Sequence, residues 1–136
     1  MKFYLLRHGQ TDWNLEGRLQ GHKNIPMNRN GVKQMMEIAE HLHEINFKVD
    51  YIISSPLDRA KESARIVAEK IEFSGNIIYD DKSILIVAHG AILSAVKHAL
   101  SNGTLGYYDS SVPIIQGNIL CCEIGQNGEQ SFYNLF

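Results

Sequence analysis

Three short apolar runs constrain this chain most, because each gives way at once to residues suited to an anion. Phe3-Tyr4-Leu5-Leu6 leads into Arg7, His8 and Gly9. Tyr51-Ile52-Ile53 leads into Ser54, Ser55 and, one helical turn on, Arg59. Ile84-Leu85-Ile86-Val87-Ala88 leads into His89 and Gly90. Runs apolar on both faces read as buried strands, and strands alternating with helical patterns predict an α/β fold. If the three strands are parallel, their carboxyl ends share one sheet edge, where open α/β sheets bind ligands. That one rule would bring Arg7, His8, Arg59 and His89 together.

The rest of the chain supports this architecture. At 136 residues it suits a single domain over 1–136 with a core of its own. Residues 9–30 are polar and glycine-dotted and read as a long loop, a length that usually carries function. A helix is predicted from about Asn28 to Phe47, with Val32, Met35, Met36, Ala39, Leu42 and Ile45 at helical spacing. Ser55 and Pro56 read as N-cap and first position of a second helix, with Leu57, Ala60, Ala64, Val67 and Ile71 on one face. Ile77-Ile78-Tyr79 is a further short strand candidate. A third helix is predicted over residues 91–100, stopped by Asn102-Gly103. Two runs flanking Gly125-Gln126-Asn127-Gly128 read as a hairpin.

Composition narrows the function. A net charge of −2 argues against a nucleic-acid partner. No apolar stretch approaches the roughly 20 residues of a membrane span. The two cysteines, Cys121 and Cys122, are neighbours and read as free thiols in a reducing compartment, the cytoplasm.

The gathered residues have a coherent chemistry. Guanidiniums such as Arg7 and Arg59 clamp phosphate oxygens. A neutral imidazole attacks phosphorus and forms a covalent intermediate. A second imidazole donates to charge that builds in the transition state. Gly9 and Gly90 allow close backbone approach, and the helix that starts near Gly90 offers N–H groups.

With these residues in view, the chain resembles the histidine phosphatase superfamily, which includes the cofactor-dependent phosphoglycerate mutases. The likeness runs through Arg7-His8-Gly9-Gln10-Thr11-Asp12-Trp13-Asn14, then Gly17-Arg18-Leu19-Gln20-Gly21, which is similar to the family's substrate-facing loop. It continues in Ser54-Ser55-Pro56-Leu57-Asp58-Arg59-Ala60 and Val87-Ala88-His89-Gly90. The resemblance implies a three-layer α/β/α sandwich on a mostly parallel sheet. It implies phosphorylation of His8, with Arg7, Arg59 and His89 holding the phosphoryl group. Asn14, Gln20 and Gly21 would add contacts to phosphate or substrate. It implies a small phosphorylated substrate and no metal or other cofactor.

One departure stands out. The family places a long segment between its second and third signatures, with a glutamate that acts as general acid. Here Asp80 and Asp81 run straight into Lys82-Ser83 and the next strand. Loss of a general acid costs about 10²–10⁴-fold, and no spacing selects Asp80, Asp81 or Glu72 as a substitute. Four residues are also too few for a parallel crossover, so the runs at 77 and 84 are not parallel neighbours. Helices lost with that segment would leave apolar surface open, favouring a homodimer or a domain swap. Three functions stay open: a phosphatase of small phosphate monoesters acting through phospho-His8, a shortened relative that binds phosphoesters without useful turnover, and a mutase.

Overall fold

A computed structural model describes residues 1–75, 83–107 and 109–136. The candidate strand at 77–79, together with Asp80, Asp81 and Tyr108, lies outside the described residues. The elements run β1 (Lys2–Arg7), α1 (Asp12–Leu15), α2 (Arg29–Glu44), β2 (Tyr51–Ser54), α3 (Asp58–Lys70), β3 (Ser83–Ala88), α4 (Gly90–Leu100), β4 (Ile119–Ile124) and β5 (Gln130–Asn134).

These strands form one sheet in the order β2-β3-β1-β4-β5. The pairs β2–β3 and β3–β1 are parallel, so the three anion-suited strand ends lie on one edge. The β1–β4 and β4–β5 pairs are antiparallel, which makes the sheet mixed, and β4–β5 is the expected hairpin.

Alternation along each strand sorts the core into two layers. Tyr4, Leu6, Leu85, Val87 and Cys121 face α2 and α3, meeting Met35, Ile38, Leu42, Ala64 and Val67. Leu5, Ala88 and Leu120 face the other way, toward Leu93 of α4. The result is the three-layer sandwich. Ile53 on the edge strand β2 and Ile92 on α4 stay more than half exposed, so some apolar surface is open.

The helices stop by one device. Asn46, Glu72 and Asn102 each adopt a left-handed conformation just past a helix end. The next residue's N–H then bonds back to Leu42, Ala68 or His98, respectively.

Two local expectations need correction. The 9–30 stretch is not all loop. It holds the single turn α1, capped by Thr11, whose side chain accepts from the Asn14 N–H while the Asn14 side chain accepts from the Thr11 N–H. The second helix starts at Asp58 rather than Pro56, with Leu57 as a cap that supplies no side-chain bond. Ser55 is occupied elsewhere, as shown below. In the last turn of α4, His98 Nδ1 lies 2.8 Å from the Leu105 carbonyl and its ring stacks on Tyr107 at 4.4 Å. Among the described residues, no helix is long and apolar enough to cross a membrane.

Candidate active site

His8 directly follows β1 and is 2% exposed. Its backbone N–H donates to the Ala88 carbonyl at 3.1 Å, which locks it beside the end of β3. Its Nδ1 sits 2.8 Å from the Gly9 carbonyl oxygen. A carbonyl only accepts, so the proton of the neutral ring is on Nδ1 and the lone pair is on Nε2. Burial pushes the His8 pKa down to about 4, helped by Arg59, His89 and Arg7, against the pull of the Gly9 hydrogen bond. The ring is therefore neutral at ordinary pH, with an unprotonated Nε2 that makes no hydrogen bond among the described residues.

The surroundings of that nitrogen are cationic. The Arg7 guanidinium has no hydrogen bond or ion pair among the described residues, and its Nε is buried and unpartnered. Arg59, 2% exposed in the first turn of α3, donates from Nη1 to Lys23 O at 2.7 Å and from Nη2 to Gly21 O at 3.1 Å. Its Nε is likewise buried and unpartnered. Burying cations without counter-charges is costly, and an anionic ligand would relieve that cost. The His89 ring lies 5.2 Å from that of His8, centroid to centroid. Burial, then Arg59, Arg7 and His22, hold its pKa below the usual imidazole value.

The other sequence-predicted residues divide by role. Asn14 and Gln20 both face Thr11: Asn14 Oδ1 accepts from the Thr11 N–H at 3.0 Å, and Gln20 Oε1 from the Thr11 hydroxyl at 2.7 Å. Their acceptor oxygens are thus used, and their NH₂ ends carry no bond among the described residues. Gly21, at φ +51°, gives its carbonyl to Arg59. Gly90 opens α4 beside Arg7, where an added Cβ would lie 3.8 Å from the guanidinium. Gly9 is also required by its neighbours. A Cβ there would meet the Gly31 carbonyl at 2.5 Å, so its bareness lets β1 pass the start of α2. Asp58, in the first turn of α3, exchanges two bonds with Asn24 of the loop, at 2.8 and 3.0 Å. Glu72 is no general-acid candidate. It follows α3, about 20 Å along the helix axis from Arg59 at 1.5 Å per residue.

Several contacts had no sequence signal that singled them out. Gln116 Nε2 donates to the His8 carbonyl at 2.8 Å, tying residues far along the chain to the site. Ser63, fully buried, accepts from the Gly9 N–H and donates to the Arg59 carbonyl. Ser55 Oγ lies 2.7 Å from His89 Nε2. Lys97 is 1% exposed and donates to the carbonyls of Asp109 and Val112. An apolar-faced helix and a serine pair look alike from sequence whether or not they reach such partners. Among the described residues, no group of three or more His, Cys, Asp or Glu side chains could hold a metal ion.

Paired histidines and paired arginines thus gather at the carboxyl edge of an α/β sheet. The chain belongs to the histidine phosphatase superfamily (branch 1), whose family model matches residues 3–81. His89 lies beyond the matched residues and joins the site through the fold. The chain is 46% identical over 65 residues to the "Uncharacterized phosphatase PhoE" of Bacillus subtilis (strain 168), covering 48% of this chain and 33% of that protein. It is 37% identical over 82 residues to the "Probable phosphoglycerate mutase GpmB" of Escherichia coli O1:K1 / APEC, covering 60% and 36%. The matches thus span about a third of the length of these curated relatives. In fold, the chain is similar to the alpha-ribazole phosphatase from Shigella flexneri, with TM-score 0.78 and 19% identity, covering 98% of this chain and 95% of that one. It is also similar to a phosphoserine phosphatase from Entamoeba histolytica solved with phosphoserine, with TM-score 0.74 and 20% identity, covering 96% and 94%.

Proposed function

We propose that this protein hydrolyses small phosphate monoesters through a phosphohistidine on His8. The observation that carries this reading is the Nδ1–Gly9 contact, which leaves the Nε2 lone pair of a neutral ring among Arg7, Arg59 and His89. In the first step, Nε2 attacks phosphorus, the bond to the ester oxygen breaks, and the leaving alkoxide takes its proton from solvent water. Water then attacks the phosphohistidine and releases inorganic phosphate. Arg7 and Arg59 hold the equatorial oxygens, while His89, Asn14, Gln20 and the N–H groups opening α4 at Gly90 add donors. The names of the phosphatase relatives support the reaction class. The two unpaired thiols accord with a reducing compartment such as the cytoplasm.

A second reading, a phosphoester-binding relative with crippled turnover, has its own support. The groups that act electrostatically on His8 and His89 are arginines and histidines, with no carboxylate among them. The proton for a leaving alkoxide thus has no evident donor among the described residues.

A rapid-quench assay with a ³²P-labelled phosphomonoester panel separates the two. The first reading expects labelled protein that rises and decays with phosphate release, both lost in His8→Ala. Label that accumulates on His8 without release supports the second. No label with any ester contradicts both covalent forms.

A further inference from the structure

We propose that Ser55 fixes the tautomer of His89, keeping its ring proton on Nδ1 so that this nitrogen donates to a bound phosphoryl group. The inference rests on the phosphoryl-transfer reading of the site and adds to it a positioning residue.

Ser55 Oγ has two partners among the described residues. One is the Leu57 N–H at 3.3 Å, which can only donate to it. The other is His89 Nε2 at 2.7 Å. A hydroxyl has one proton to give, and among the described residues Nε2 is the one acceptor within reach; if Nε2 donated instead, that hydroxyl proton would have no acceptor there. A proton sent there requires a lone pair on Nε2. A neutral imidazole with a lone pair on Nε2 carries its proton on Nδ1.

The state of Nδ1 points the same way. It is buried and has no partner among the described residues. It belongs to a ring beside His8 and under the influence of Arg59 and Arg7. A lone pair at that place would repel an incoming phosphate oxygen, whereas an N–H meets it as a donor. The two histidines are then wired alike at Nδ1 and used differently. In His8 the Nδ1 proton is spent on Gly9 and Nε2 is free to attack. In His89 it is Nε2 that is spent, on Ser55, and Nδ1 is free to donate.

The arrangement also explains where Ser55 sits. It follows β2 directly, and its backbone N–H donates to the Val87 carbonyl at 3.0 Å, fixing it beside the end of β3. Its side chain is therefore held in place by the same sheet edge that positions His89.

The test is long-range ¹H–¹⁵N correlation NMR of the ring nitrogens in uniformly ¹⁵N-labelled full chain, with His89 assigned by its loss in His89→Asn. Spectra are taken without ligand and during titration with inorganic phosphate. The expected wild-type pattern is a protonated Nδ1 and an unprotonated Nε2 on His89. Ser55→Ala should move the ring toward the Nε2–H form and weaken phosphate binding about tenfold, the loss of roughly one charge-assisted bond. Ser55→Thr, which keeps the hydroxyl, should retain both properties. A wild-type His89 found in the Nε2–H form overturns the proposal without any variant. So does an Ser55→Ala protein with unchanged tautomer and unchanged phosphate affinity. Phosphate that perturbs neither His8 nor His89 in the wild type instead overturns the phosphate-site reading beneath it, whichever tautomer is observed.

Discussion

Strands β1 and β3 end in Arg7-His8 and His89, while β4, hydrogen-bonded into the same sheet, is filled by the buried pair Cys121 and Cys122. Both halves bury titratable groups, but of opposite kinds. In the antiparallel half, burial raises both thiols, Cys122 to about 11, so each stays neutral and packs as a small hydrophobe. In the parallel half, burial encloses two arginines that remain charged and two histidines that are held neutral. Several of those polar atoms lack partners among the described residues. Charge repulsion and desolvation oppose folding there, and a bound phosphoryl group would reverse the sign. Strand direction lies behind the contrast. Parallel strands deliver their carboxyl ends, and whatever follows them, to one place. The hairpin returns at once and leaves its thiols inside the sheet.

The largest effect that would break this contrast is on turnover. His8→Ala should abolish the phosphoenzyme and lower kcat by more than about 10³-fold with the fold intact by circular dichroism. Substantial residual turnover would move the chemistry elsewhere.

Acid should come next. His8 has a folded pKa near 4, below its unfolded value near 6.5. The unfolded chain therefore binds more protons between these values, and stability falls as pH drops through that window. The loss should total about 3 kcal/mol by pH 4, with His89 acting in the same direction. Denaturant titrations at stepped pH measure it, and His8→Ala should flatten the slope. A wild-type stability that is level from pH 7 to 4 would show that the ring is not held neutral.

Arg7 sharpens the comparison from the other side, because nothing in the described fold compensates it. Arg7→Leu should cost phosphate affinity about 10²-fold by calorimetry, while the ligand-free fold gains or keeps stability by about 1 kcal/mol. A strong loss of ligand-free stability would mean that Arg7 is a structural cation.

The smallest effect belongs to the hairpin half. Cys122→Ala should cost about 1 kcal/mol of stability and leave phosphoenzyme formation unchanged. Native Cys121 and Cys122 should resist iodoacetamide at neutral pH, as buried thiols with raised pKa values do. Rapid native labelling would place these strands outside the core.

Much of this was legible in the sequence, for identifiable reasons. Strongly apolar runs announce β1 and β3, and the rule that parallel strands end on one edge is enough to gather Arg7, His8, Arg59 and His89. Helical periodicity found α2, α3 and α4 to within a few residues. What was hidden depends on side-chain direction. Whether Ser55 caps a helix or faces His89 turns on where α3 begins, and a Ser-Pro pair does not settle that. Gln116 reaches the His8 carbonyl across more than 100 residues, with no periodicity to mark it. Thr11 gathers Asn14 and Gln20 through a single turn of helix, too short for a pattern to register. The close approach of Gly9 to the backbone of Gly31 is likewise invisible in the sequence.

The most direct test of the central claim is ³¹P NMR, with peptide mapping, of phosphoprotein trapped by rapid quench. The account expects one acid-labile phosphohistidine, on His8, bonded through Nε2. Phosphate on His8 Nδ1, or on His89, would contradict it.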